Sequence, residues 1–211
     1  MHYDDYFFYL DEMAGPQELK YILDLIEKPN KTNFESYLIS KAVFDKYKLM
    51  DLYGTMQMRE ENTEAAKTLN QIPAEYWHTG VIEYETYLDA NPMHADFYSG
   101  HATNAADTIR FTKVELLNKI IELQNNAASG QNAAMNYFTL GNIFYNMTHH
   151  GNSWMMMRYG WSVNEESEGE NYNKRSDDGN YYGAEKAIYY YKSSRNIKGQ
   201  KNSFHCVLGW R

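Results

Sequence analysis
The sequence predicts an all-α chain interrupted by two long irregular segments, and three observations carry that expectation. Apolar residues recur at helical spacing along most of the 211 residues, and no stretch sustains the alternation of a half-buried strand. The four prolines, at 16, 29, 73 and 92, punctuate these runs. Two Thr-x-x-Glu stretches, Thr32–Glu35 and Thr112–Glu115, have capping-box spacing, in which a threonine oxygen and a glutamate carboxylate satisfy free amides at a helix start.

Pro16 suits a first helical turn, whose N–H groups have no intrahelical partner anyway. Leu19, Ile22, Leu23 and Ile26 then form one stripe, and Pro29 closes it. From Thr32 one long helix is expected to about residue 60, with Ile39, Val43, Met50 and Tyr53 in register and Lys41, Asp45 and Lys48 largely elsewhere on the wheel. Glu60-Glu61-Asn62 breaks it, and Ala65 to Ile72 makes a short helix ended by Pro73. Residues 74–111, with Gly80, Pro92 and Gly100, read as a long irregular connection holding short helical turns around Ile82 to Leu88.

Thr112 starts a helix carrying Leu117, Ile120, Ile121 and Gln124 on one face, ending near the Asn125 to Gly130 turn. Asn132 to about Met147 follows. Residues 148–180 form the second irregular segment, and within it 164–180 hold six acids against two bases, the composition of a mobile loop. Tyr181 to Ser194 is helical again. Ile197 to Arg211 reads as a helix without a stop signal, so the expectation is a single helical domain over 1–211 that forms a section of a longer protein.

Composition narrows the function classes. Apolar residues at 43%, aromatics at 16% and 20 Tyr give enough burial for a folded core. A net charge of -8 with scattered bases leaves no stripe to displace counterions, which argues against nucleic acid. Lys41, Lys46 and Lys48 alternate with Asp45 and Asp51 as a solvated helix face does. The lone Cys206 excludes an internal disulfide and a cysteine-rich zinc site, and packing is its expected role. No stretch reaches the roughly 18–20 apolar residues of a bilayer span, and MHYDDYFFYLDE is no signal peptide. The expectation is a soluble chain without direct membrane insertion, cytoplasmic or, if exported within a longer protein, at the bacterial cell envelope.

Gly54 and Ala66 lie twelve residues apart, which resembles the spacing in the tetratricopeptide (TPR) pattern of two small residues that let paired helices approach closely. A second set opens with Tyr137, Leu140-Gly141-Asn142, Phe144 and Tyr145, and its partner is Glu185 to Tyr191, with Ala187 and Tyr191 as the small and aromatic contacts. Gly141 and Ala187 are 46 apart, so 34 residues are inserted beyond the twelve expected.

These runs resemble the tetratricopeptide (TPR-like) repeat. The stretches YLDANPMHADFY and LGNIFYNMTHHGNSWMMMRYGWS, within roughly residues 35–211, resemble the large TPR-like proteins of Bacteroidetes bacteria. Departures exist: the first hairpin has Gln57 and Asn70 where aromatics are usual. The resemblance implies hairpins stacked as a short right-handed solenoid with a groove for an extended peptide or partner helix. On that resemblance the groove residues are Tyr137, Asn142, Tyr145, Asn146 and Trp154, with Asn142 at a position that contacts a peptide carboxylate in related modules. The lysines of that clamp are not recognisable here.

Other chemistries fit less well. His94, His101, His149 and His150, with nearby acids, are the ligands a metal-dependent hydrolase or small-ligand protein would use, but no HExxH is present and adjacent histidines diverge on a helix. Histidines at a helix end also interact favourably with the dipole. Trp154, Met155, Met156, Met157, Tyr159 and Trp161 suit either an adaptable surface or a core, and core is the expectation. No GxSxG elbow, phosphate loop or Cys/His signature supports nucleophilic catalysis, and the pairs Glu60-Glu61 and Glu165-Glu166 sit in polar turns. The reading is a noncatalytic interaction scaffold without cofactor or metal, its partner a protein or peptide. Exposed repeat ends are also compatible with homo-oligomers.

Overall fold
The computed structural model describes residues 10–11, 13–42, 45–78, 91–94, 111–159 and 178–197. Among them the regular structure is entirely helical: α1 Pro16–Glu27, α2 Asn33–Lys41, α3 Lys46–Arg59, α4 Ala65–Leu69, α5 Ala74–His78, α6 Lys113–Ala128, α7 Ala133–Asn146, α8 Asp178–Tyr181 and α9 Glu185–Asn196, with a 3-10 turn at Trp154–Met156. The turns expected around Ile82 to Leu88, the helix after Ile197, His101, Trp161, Glu165, Glu166 and Cys206 lie outside the described residues, as does most of 164–180.

Both capping boxes form. Thr32 Oγ1 accepts from the Glu35 amide at 3.2 Å while Glu35 accepts from the Thr32 amide at 2.7 Å. Thr112 and Glu115 reciprocate at 3.2 and 2.8 Å. The helix expected to run unbroken from Thr32 to residue 60 is two helices. Asp45 ends the continuity, because its carboxylate accepts from the amides of Tyr47 and Lys48 and so starts α3 afresh. Tyr181 to Ser194 divides likewise at Ala184, whose φ of 53° no helix tolerates. The connection after residue 73 opens with α5.

Helices pack on their neighbours along the chain: α1 on α3, α3 on α4, α4 on α6, α6 on α7, and α7 on α9. The α7/α9 pair is the most extensive. Ser194 bonds the Ala134 carbonyl at 2.7 Å, Tyr191 meets Phe138 and Asn142, and the Lys186 ammonium lies by the Phe144 ring. Numbers fall on one helix as they rise on the other, so the two are antiparallel. Tyr190 stacks on Tyr137 and Phe144 at 6.1 and 5.1 Å, and its hydroxyl accepts from Gln124 of α6 at 2.8 Å. The core between the helices includes Leu19, Leu49, Leu52, Leu69, Leu116, Leu140 and Ile143. α2 contributes nothing fully buried, and Phe34, Tyr37 and Leu38 face outward.

Glycine governs the close approaches. A Cβ on Gly141 would lie 2.5 Å from the Tyr191 ring, and one on Gly54 would lie 2.4 Å from Leu69 Cδ2. In both hairpins the glycine meets the larger residue one turn beyond the expected alanine. Ala187 is buried nearby, whereas Ala66 is half-buried.

Candidate functional site
The candidate site lies on the face of α7 that carries Asn142 and Asn146. Four residues apart on a helix, they stand one above the other, and both are buried. The Asn142 amide donates to the Met93 carbonyl at 2.7 Å, and its oxygen accepts from the Tyr191 hydroxyl at 2.9 Å. The Asn146 amide donates to the carbonyls of Pro92 and His94 at 2.8 and 2.9 Å. Two side-chain amides thus serve three successive carbonyls of a segment far away in sequence.

That segment is a proline turn. The His94 amide donates to the Asn91 carbonyl at 3.1 Å, and the Met93 amide donates to the Asn91 side-chain oxygen at 3.0 Å. Pro92 has no N–H and its ring fixes φ for the second turn position. The amides of Met93 and His94 are therefore satisfied within the turn, and three carbonyls face α7. Asn91 and Pro92 are buried, Met93 is half-buried and His94 exposed.

Asn146 is set in place by the loop after it, the MTHHGNS break in an otherwise apolar run. Thr148 bonds the Tyr145 carbonyl through both amide and hydroxyl, and the Ser153 amide donates to the Asn146 carbonyl at 2.7 Å. Gly151 crosses directly over this point, where a Cβ would lie 2.2 Å from the Asn146 Cα and carbonyl oxygen. The loop therefore satisfies carbonyls that the end of α7 leaves open.

The other expected groove residues separate. Tyr145 stays near, and burial raises the pKa of both its hydroxyl and that of Tyr191. Tyr137 turns to Tyr190, on another side of α7. Trp154 belongs to the core, as do Met155, Met156, Met157 and Tyr159, which agrees with the core reading of that cluster.

A second polar cluster joins α3, α6 and the segment after the 3-10 turn. Lys113 Nζ donates to Asp51 at 2.7 Å, Thr55 at 2.9 Å and the Tyr159 hydroxyl at 3.2 Å, with its charge 4.7 Å from the Tyr159 ring centre. Tyr76 donates to the other Asp51 oxygen. Beside it, Arg59 pairs with Asp11 at 2.6 Å and donates to the Met157 carbonyl at 2.6 Å. Burial lowers the Lys113 pKa against the opposing pull of Asp51, and burial raises that of Tyr159 well above the ordinary value. Asp51 and Asp45, expected on a solvated face with the neighbouring lysines, thus play structural parts.

Of the described histidines, His149 and His150 lie edge to face with ring centres 5.5 Å apart. His149 is buried against the rings of Tyr181 and Tyr182 at 5.8 and 5.5 Å and donates its amide to the Tyr181 carbonyl, while His150 and His94 are exposed. Among the described residues no three His, Cys, Asp or Glu side chains gather as metal ligands, and no helix is long and apolar enough to cross a membrane.

No family model, curated protein or solved structure matches the chain. The site is therefore read from its own geometry.

Sequence reasoning singled out Asn142 and Asn146 but missed the turn, Gly151 and the buried ions. Signals for some were present. Asn91-Pro92 is a turn-initiating dipeptide. Lys113 stands at the first position of α6, where the helix dipole disfavours a cation, and such a placement calls for a compensating carboxylate elsewhere.

Proposed function
We propose that the chain is a noncatalytic TPR-like interaction module, its antiparallel hairpins stacked as a short right-handed solenoid, which holds a peptide or partner helix against α7. Sequential packing of α3, α4, α6, α7 and α9 supports this reading, since repeat arrays make their contacts between neighbours. Close approach at Gly54 and Gly141 supports it as well. The observation that carries it is the antiparallel α7/α9 pair, closed where Gly141 admits the Tyr191 ring. Asn142 and Asn146 lie buried on this pair and hold the chain's own residues 92–94, so a partner would meet the half-buried Tyr145 beside them.

The test is affinity capture from the source cells with the intact protein and with Tyr145→Ala. Tyr145 is half-buried beside the site, so its truncation removes contact area and leaves the asparagines in place. A partner recovered by the intact protein and lost at least about tenfold from the folded variant, the effect of removing one aromatic contact, supports the reading. Equal recovery by both, or no partner at all, refutes it.

A further inference from the structure
We infer that the flank of the α7/α9 pair turned away from α6 seats an amphipathic helix of a partner protein, and that Lys192 and Arg195 select a helix with an acidic edge. The inference rests on the interaction reading above and specifies the partner's chemistry. Two adjacent tyrosines of α9 tell the flanks apart. Tyr190 turns to Tyr137 and Phe144 and accepts from Gln124 of α6, so a helix already occupies that side. Tyr191, about 100° further round α9, turns to Phe138 and Asn142 instead.

Helical spacing extends this second flank into a strip. Ile188 and Arg195 stand three before and four after Tyr191 on α9, and Met135 stands three before Phe138 on α7. Met135 is 50% exposed and Ile188 45%, with Phe138 and Tyr191 half-buried beside them. Residues 92–94 bond to the flank at Asn142 and Asn146, and Met135 lies about two turns before Asn142. The strip from Met135 to Tyr145 is about 15 Å long, the reach of roughly three helical turns. A helix suits it, because the groove between two antiparallel helices takes a third, as α6 shows on the other side.

Apolar area alone names no partner, but the charges do. α7 has no ionised side chain, and the one acid of α9, Glu185, stands in its first turn, about two turns from Lys192. Lys192 and Arg195 are exposed, and no ion pair holds either. Lys186 of the same helix pairs with Glu61, and Lys20, Lys46 and Lys119 elsewhere each pair with an acid. In a chain of net charge -8, two uncompensated cations beside an exposed apolar strip are complementary to an anionic partner and repel a cationic one.

Two fluorescent helical peptides test this by anisotropy against the full chain. Both carry leucine at helical spacing over about four turns; one has glutamate along the edges of that stripe and the other lysine. The glutamate peptide is expected to bind about tenfold or more tightly than the lysine peptide, with the preference shrinking at high salt. Lys192→Glu/Arg195→Glu should reverse the order, and Ile188→Asp or Met135→Asp should weaken the glutamate peptide about tenfold or more. All four replaced residues are exposed, so the variants keep the fold, which circular dichroism checks. No binding of the glutamate peptide, equal binding of the two, or an order unchanged by charge reversal overturns the inference. Self-association in sedimentation velocity that Ile188→Asp abolishes also overturns it, because the occupant is then a second copy of the chain. A partner captured through Tyr145 but indifferent to Ile188→Asp would leave the interaction reading intact and remove only this one.

Discussion

Replacing Lys113 by methionine keeps the length and most of the volume of the side chain and removes its charge. The ammonium is wholly buried, and it bonds Asp51, Thr55 and Tyr159. Thr55 and Tyr159 keep their own hydrogen bond at 2.8 Å, so their loss is modest. The dominant effect falls on Asp51, whose side chain is 1% exposed. Breaking one side of a buried pair costs about 3–5 kcal/mol, a large part of the ~5–15 kcal/mol by which domains are stable. Removing the second charge as well, in Lys113→Met/Asp51→Asn, restores much of this, because the asparagine can still accept from Tyr76 and carries no charge to desolvate. The expected deficit of the double variant is about 1–2 kcal/mol, far below the sum of the two single losses of about 3–5 kcal/mol each, so the two sites couple by about 4 kcal/mol or more. Urea unfolding measures all four corners, provided the slope with denaturant stays constant. A single variant within about 1 kcal/mol of the parent, or additive losses in the double, would refute the assignment of this pair as a buried, mutually dependent unit.

Gly151→Ala should destabilise by about 1–3 kcal/mol or more, since both partners in the clash are backbone; Gly54→Ala, whose Cβ meets Cδ2 and Cγ of the Leu69 side chain and no backbone, should cost less in the same denaturation assay. Thr112→Ala removes the side-chain cap of α6 and should cost about 0.5–2 kcal/mol, read as a lowered urea midpoint. Tyr191 gives a pH signature. Burial raises its folded pKa above the ordinary 10.0, so its contribution is complete below pH 10.0 and is lost as the pH rises towards the folded value. The stability difference between the unmodified chain and Tyr191→Phe should stay level up to pH 10.0 and shrink above it; a difference that grows with pH would contradict the burial.

The helices were legible wherever local chemistry decides them. Pro16, Thr32 and Thr112 each start a helix within a residue of the expected place, because a cap is settled by neighbours three positions away. Asp45 was misjudged for the same reason in reverse: a short carboxylate amid lysines reads as a solvated face, yet two amides ahead of it make it a cap. Partners distant in sequence left weaker traces. The α7/α9 hairpin was approached through Gly141, since only a glycine admits the Tyr191 ring so close, but nothing local shows that the glycine would meet Tyr191 first rather than Ala187. Tyr137 and Trp154 share an aromatic character with Tyr145, and spacing alone could not tell a groove from two packing faces.

The two polar clusters have one physical logic. In each, buried polar side chains on helices hold a segment from one of the long insertions: Asn142 and Asn146 hold Pro92, Met93 and His94, while Arg59 and Lys113 hold Met157 and Tyr159. Apolar burial is non-directional, so Met93 or Met157 could slide along a helix at little cost. A carbonyl matched to an amide or guanidinium cannot slide, because a shift of one residue leaves a buried donor unmet at about 1–3 kcal/mol. Long insertions between packed helices therefore gain a defined register from polar clasps where a core alone would leave several. The α7 asparagines thus fix the insertion in register. Asn146→Asp separates this clasp from simple loss of packing: it keeps the volume but turns donors for Pro92 and His94 into repelling acceptors, so hydrogen exchange at residues 91–94 should speed up more than in Asn146→Ala.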